Sequence, residues 1–320
     1  MNNPQKDTTL YLPTSVKEMK ALGWDRPDIV LFSGDAYVDH PSFGAAVIGR
    51  TLQKAGYKVA IVPQPNWQDD LRDFRKFGAP RLFFGVSAGA MDSMVNHYTA
   101  NRRRRSDDAY TPGGRHGARP DYPTIVYSDI LKKLYPDIPV IAGGIEASLR
   151  RLSHYDYWQN RLRPSILADI SADMIVYGMG EKPIVEIAER LDNGEKITDI
   201  QDVRQTALLL PVNEIPAPDE NNIILNSFED CLKDKKKQSG NFKHIEQQSN
   251  RMDGAVLWQR HGNEVVKINP MYPPLTTEEI DASFDLPYTR LPHPRYFGKT
   301  IPAYEMIRHS VCMHRGCFGG

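Results

Sequence analysis

The sequence predicts a doubly wound, mostly parallel α/β fold, and three observations carry that prediction. Short apolar runs recur from about residue 28 to 194, stretches with apolar residues three and four apart separate them, and several of the runs are continuous rather than alternating. Continuous apolar strands are expected where helices cover both faces of a sheet, and strict strand–helix alternation is the pattern of a parallel sheet.

Each element has its own warrant. DIVLFSG, residues 28–34, reads as the first strand, closed by Gly34. PSFGAAVIGRTLQKAGY then spaces Phe43, Val47, Ile48 and Leu52 at helical intervals, with Gly56 as a stop. KVAIVPQ supplies a second strand, and WQDDLRDFRKFG a helix with Trp67, Leu71 and Phe74 on one face. RLFFGVS, IPVIAGG and DMIVYGMG read as the third to fifth strands; YPTIVYSDILKKLYP and KPIVEIAERLDNG read as helices. Residues 101–123, NRRRRSDDAYTPGGRHGARPDYP, form a long, charged, Gly/Pro-rich loop after the third strand, where ligands of such sheets sit.

After about residue 195 the rhythm changes. FEDCLKDKKKQSGNFKHIEQQSN reads as polar helix interrupted near Gly240, and AVLWQR–HGN–EVVKIN as a β-hairpin. Residues 269–302 are proline-rich and predict an irregular, extended segment wrapping a neighbour. AYEMIRHSV then predicts a short strand running into a Gly-rich loop. The chain thus divides into an α/β region at 1–200, a helical, hairpin and proline-rich connection at 201–300, and the start of a further core at 301–320.

Composition sets the limits. The 40 Lys+Arg balance 40 Asp+Glu, which weighs against a nucleic-acid partner held by net charge. Three Cys in 320 residues exclude a disulfide scaffold. The opening residues lack an apolar segment and no run approaches a membrane span, so the expectation is a cytoplasmic protein with no membrane partner.

The sharpest chemical signal is the loop holding Cys312 and Cys317. Thiolates on a short flexible loop suit an iron–sulfur cluster, although two such Cys are as readily ordinary buried thiols. RGCFGG after a strand resembles the start of the radical S-adenosylmethionine signature, Cys-x-x-x-Cys-x-x-Cys, with Cys317 as its first cysteine and Phe318, Gly319 and Gly320 as its spacers. The strings SGDAYVDHPSFGAAVIGR, TANRRRRSDDAYTPGG, AGGIEASLRRLSHYDYW, YGMGEKPIVEIA and IPAYEMIRHSV resemble the YgiQ (UPF0313) family of radical S-adenosylmethionine proteins from Leu22 to Gly320.

The resemblance implies an α/β N-terminal domain followed by a partial TIM barrel, of which AYEMIRHSV would be the first strand. It also implies that this sequence is an N-terminal part, ending inside the motif. Three thiolates, Cys317 among them, would hold a [4Fe–4S] cluster that an electron donor reduces. The cluster would cleave S-adenosylmethionine to a 5′-deoxyadenosyl radical, acting on a substrate the sequence does not identify. With one of the three thiolates, this chain alone would be inactive; Cys231 is a bystander, and no catalytic residue is assigned.

The α/β region also resembles cobalamin-binding domains. GVSAGAM and AGGIEAS follow the third and fourth strands, and Gly143 and Gly144 would let a flat macrocycle or a nucleotide approach the backbone. His40 is the candidate cobalt ligand, but the Asp-x-His-x-x-Gly spacing is not kept: Asp39 and His40 are adjacent and Gly44 falls four residues after the His. That departure disfavours cobalamin. A non-catalytic α/β ligand-binding module, for cobalamin or a nucleotide, is the alternative function.

Three further stretches carry a functional and a plain reading. Arg102–Arg105 read as a solvated or internally paired loop before a phosphate or nucleic-acid site. RLSHYDYWQNRLRP reads as an amphipathic helix packing Tyr155 and Trp158, or as a pocket wall presenting Glu146, Arg150 and His154. YGMGEKP reads as a tight turn that sets Glu181 near a positive helix N-terminus.

Overall fold

The structure, a computed structural model, describes residues 7–311. The N-terminal half lays down α1 (Val16–Ala21), β1 (Ile29–Ser33), α2 (Gly44–Lys54), β2 (Val59–Pro63), α3 (Arg72–Arg75), β3 (Phe83–Ser87), α4 (Ser93–His97) and α5 (Pro123–Leu134). It continues through β4 (Val140–Gly143), α6 (Gly144–Leu149), β5 (His154–Asp156), β6 (Arg161–Arg163), β7 (Met174–Val176) and α7 (Glu181–Asp192). The remainder supplies β8 (Thr206–Pro211), β9 (Asn222–Ile224), α8 (Phe228–Lys233), α9 (Lys235–Ser249), β10 (Val256–His261), β11 (Glu264–Ile268), α10 (Thr277–Phe284) and α11 (Pro302–Ile307).

A single sheet organises these elements, in the order β2-β1-β3-β4-β7-β8-β11-β10-β9. The first five strands are parallel throughout, as their continuous apolar runs require. Pairing turns antiparallel at β8 and through the β10–β11 hairpin, which therefore extends the same sheet. Alternate side chains of β1 separate the two faces. Ile29 and Leu31 pack with Leu52, Ile184 and Ile187 of α2 and α7, while Val30 and Phe32 pack with Met19, Phe74, Tyr127 and Leu131 of α1, α3 and α5. The chain leaves β1 toward β2 on one side and β3 toward β4 on the other, so the β1/β3 border is the switch point where doubly wound sheets bind ligands.

Several local expectations are corrected. RLSHYDYWQNRLRP is no helix: β5 and β6 form a hairpin, turned at Asn160 with φ 52° and anchored by the Tyr122 hydroxyl donating to Asp156 at 2.7 Å. The second helix shrinks to α3, because Leu71 takes a left-handed φ of 60° immediately before it. The polar helix breaks at Asp234 rather than Gly240, since extended Asp234 turns its carboxylate back to accept from Lys236 N–H and so caps α9. The proline-rich segment contains α10, started by a reciprocal Thr276–Glu279 capping box. The strand expected over AYEMIRHSV is helix α11: Pro302 opens it, and Tyr304 and Ile307, one turn apart, pack on the core.

The neighbour that the proline-rich segment wraps is the loop that leaves β1. Asp39 N–H donates to Leu291 O at 3.0 Å, Arg290 N–H to Asp39 O at 2.9 Å and His293 N–H to Tyr37 O at 3.0 Å. Residues 286–300 thus form a strap across the loop that leaves β1.

Candidate functional site

The two loops at the switch point are locked together. Gly34 N–H donates to Ser87 O at 3.0 Å, and a Cβ on Gly34 would stand 2.1 Å from Ala88 O. Gly89 has φ +117°, and a Cβ there would meet Asp35 Oδ1 at 2.2 Å. The Asp35 carboxylate accepts the Ala90 N–H at 2.6 Å and lies 2.8 Å from Arg119 Nη1. Arg119, wholly buried, also donates to both oxygens of Asp108 at 3.0 Å and to Ala88 O at 2.8 Å. The long loop at 101–123 therefore closes over the switch point through its two ends.

Two carboxylates share that one guanidinium, and they fare differently. Burial pushes Asp35 up to about 6 against the pull of Arg119. Burial acts to raise Asp108 as well, but the bidentate fork of Arg119 and the Tyr110 N–H hold it below its ordinary value.

Beside this lock, a cavity of about 180 Å³, partly open to solvent, runs along the C-terminal ends of β1, β3, β4 and β7, under the first turns of α2 and α7. Leu31, Val47, Ile48, Ile141, Val176 and Ile184 make it apolar, and Ser87 and Glu181 are the polar side chains on its wall among the described residues. Glycines shape it. At Gly144, with φ +79°, a Cβ would press to 2.5 Å from Ser87 Oγ; at Gly180 it would fall within 3.1 Å of Val176.

Gly143 and Gly144 are on this wall. His40 is not; it is buried beside the strap, its Nδ1 accepting the Ser42 N–H at 3.1 Å, with burial and the Arg290 charge lowering its pKa. Its neighbour Asp39 is wholly buried and pairs with Arg50, whose Nε lies at 3.0 Å. Glu146, Arg150 and His154 also lie off the cavity wall. Glu146 accepts the Ser93 and Thr124 N–H groups, each at 3.1 Å, and so joins α4 to α5; Arg150 pairs with Asp92, and His154 Nδ1 lies 3.1 Å from Leu152 O. Arg102–Arg105 are exposed, with Arg102 stacked 4.5 Å over the Tyr157 ring and Arg104 against His116. Glu181 sits at the N-terminus of α7.

The described residues hold no group of three or more His, Cys, Asp or Glu placed to bind a metal ion. Cys231 is buried against Asn241 Nδ2 at 3.2 Å, and burial raises its thiol pKa. Cys312 and Cys317 lie outside the described residues. Sequence reasoning missed the Asp35–Arg119–Asp108 lock and Ser87. The signals available were an Asp directly after the first strand's Gly and an Arg and an Asp inside a loop already marked as functional.

The Radical SAM N-terminal family profile matches residues 11–310. Among curated proteins, the chain is 65% identical over 312 residues to a UPF0313 protein of Porphyromonas gingivalis, covering 98% of this chain and 49% of that protein. It is 61% identical over 324 residues to a UPF0313 protein of Bacteroides thetaiotaomicron, covering 98% and 52%, and 45% identical over 362 residues to the UPF0313 protein YgiQ of Escherichia coli, covering 97% and 49%. No solved structure matches. The chain spans about half the length of these curated relatives. No helix among the described residues is long and apolar enough to cross a membrane. A profile match across nearly the whole chain shows that this chain belongs to the Radical SAM N-terminal family, with curated relatives that are UPF0313 proteins.

Proposed function

We propose that this chain works as the N-terminal half of a radical S-adenosylmethionine enzyme, in which Cys317 is the first thiolate of a [4Fe–4S] cluster. The profile match over residues 11–310 is the observation that carries this reading. When bound, such a cluster supplies the electron that splits S-adenosylmethionine into methionine and a 5′-deoxyadenosyl radical. The described residues do not fit the cluster: they offer no convergent set of ligands, and Cys231 is buried among amides. No step is assigned to them on that account. Their part is to form a rigid platform, locked at the switch point by Asp35, Arg119 and Asp108, with an apolar cavity at the strand ends.

The test uses the full-length gene product, reconstituted anaerobically with iron and sulfide. Dithionite should produce the electron paramagnetic resonance signal of a reduced [4Fe–4S] cluster, and added S-adenosylmethionine should be converted to 5′-deoxyadenosine. Cys317→Ala should lose the signal and Cys231→Ala should keep it. Full iron content and an unchanged signal in Cys317→Ala would refute the assignment.

A further inference from the structure

We propose that the surface made by the turn at 99–105 and the β5–β6 hairpin binds single-stranded nucleic acid, its arginines on phosphates and its tyrosines on bases. This goes beyond the enzyme reading and rests on the surface alone.

Charge comes first. Residues 101–123 hold six Arg and no Lys. Arg119 is buried in the lock, whereas Arg102, Arg103, Arg104, Arg105 and Arg115 are exposed. None of these five is ion-paired to a carboxylate among the described residues. The neighbouring acids are occupied elsewhere. Asp108 is forked by Arg119, Asp121 accepts the Tyr98 hydroxyl at 2.7 Å and lies 2.7 Å from His97 Nδ1, and Asp156 accepts from Tyr122 and Gln159. Asp107 is the loop's remaining carboxylate. The zero net charge of the chain is thus an average over a surface with one concentrated positive patch.

The turn is built to present that charge. Thr99 N–H donates to Arg103 O, Arg102 N–H to Thr99 O and Arg105 N–H to His97 O, each at 2.8 Å. Arg102 is held at a φ of 58°, a left-handed conformation that side chains disfavour. Tyr157 secures it: the Arg102 guanidinium lies 4.5 Å from the ring centre, and the Tyr157 hydroxyl donates to Ala100 O at 2.7 Å. Strain of this kind is kept where the geometry is used.

The hairpin sets aromatic faces beside the arginines. Asp156 is buried, while Tyr155 and Tyr157 on either side of it are 57% and 47% exposed. Trp158 packs against Tyr157 and Tyr98, with ring centres 5.2 and 5.5 Å away. The Tyr155 hydroxyl donates to Asn160 Oδ1, which fixes its ring, and among the described residues no other ring stacks on it.

Together these groups select the partner. A guanidinium forks onto phosphate and also stacks on flat rings. Five of them strung along a loop, with no convergent cradle, suit a chain of phosphates better than a single one. Exposed tyrosines among them take the faces of bases, which a single strand offers and a duplex hides.

Fluorescence anisotropy of the full chain tests the proposal with a labelled single-stranded RNA of about 12 nucleotides, the DNA of the same sequence and the RNA duplex. It needs neither cluster nor S-adenosylmethionine, so its failure is separable from failure of the enzyme reading. The single strand should bind with a Kd of about 1–100 μM at about 100 mM KCl. Four phosphate contacts should weaken it roughly fiftyfold between about 50 and 200 mM salt, a log–log slope of about −3. Equal affinity for DNA would assign any single strand, and preference for RNA would assign RNA. Arg103→Gln combined with Arg105→Gln removes two charges whose side chains have no partner among the described residues. That variant should keep the parental Tm, bind about tenfold more weakly and lose about 1.4 from the slope. Tyr155→Ala should weaken binding about fivefold or more and leave the slope unchanged. No binding of either single strand at about 0.5 mM protein, a duplex bound as tightly as the single strand, or unchanged affinity in either variant would overturn the proposal. So would binding to phosphatidylserine vesicles without binding to either single strand, which would make the patch a membrane contact.

Discussion

Replacing Arg119 with Met removes the single cation that two buried carboxylates share, while keeping much of the side chain's volume. Asp35 and Asp108 would then face each other's charge at 5% and 0% side-chain exposure, with the Ala90 and Tyr110 N–H groups as residual donors. Breaking a buried ion pair from one side costs about 3–5 kcal/mol, because the remaining charge is left uncompensated. The pH dependence carries a sign. Asp35 already has a folded value of about 6 against an ordinary 3.8, so the folded state binds its proton more tightly than the unfolded chain. That penalty on the folded state is complete above pH 6 and is relieved as pH falls toward 4, amounting to about 3 kcal/mol for this group. Loss of Arg119 pushes both carboxylates further up, so acid relieves the variant more than the parent protein. Urea unfolding of both proteins at pH 7.5 and pH 5 should show a loss of about 3–5 kcal/mol at the higher pH and no more than about half of it at the lower. Subtracting parent from variant at each pH cancels every other titrating group. A loss under about 1 kcal/mol at pH 7.5, or one that does not shrink in acid, would refute the account of the lock.

Other perturbations follow from the same contacts. Asp39→Ala leaves buried Arg50 unpaired and frees the strap at Thr289, whose N–H the carboxylate accepts at 2.8 Å; it should cost about 3 kcal/mol and speed limited proteolysis within residues 286–300 several-fold. Burial lowers His293 to about 4 in the folded state, so the stability from its neutral form is present above pH 6.5 and lost as pH falls toward 4. His293→Phe should flatten that part of the acid slope in urea titrations between pH 7 and 4.5. Gly89→Ala drives a Cβ into the Asp35 carboxylate at φ +117° and should cost more than about 2 kcal/mol by thermal melting. Gly56→Ala, at φ +96° with open space around it, should cost only about 1 kcal/mol.

The parallel half of the sheet was legible because strands buried on both faces leave continuous apolar runs, and β1, β2, β3, β4 and β7 fall within the runs read as strands. The antiparallel half was less so. TALLLP of β8 has no periodicity to distinguish it, and β9 spans only Asn222–Ile224. Tyr155 and Trp158 stand three apart and imitate a helix face, whereas the positive φ of Asn160 that turns the β5–β6 hairpin leaves no mark in composition. The same limit holds at the site. Gly143 and Gly144 could be marked because a glycine pair ending a strand has a local meaning. Arg119 could not, because its partners Asp35 and Asp108 meet it only once β1, β3 and the long loop are in place.

The strap also sets a timetable for folding. The Tyr37 N–H donates to the Tyr296 hydroxyl, and the Asp39 carboxylate waits for the Thr289 N–H, partners separated by 259 and 250 residues. At about 5–20 residues per second of synthesis, the first strand and its exit loop emerge roughly 10–50 s before the segment that covers them. During that interval the buried groups around Asp39 and Tyr37 lack their last partners. Completion of this half is therefore a late, non-local event, and a nascent chain stalled before residue 290 holds a sheet whose first strand's exit loop is not yet fastened.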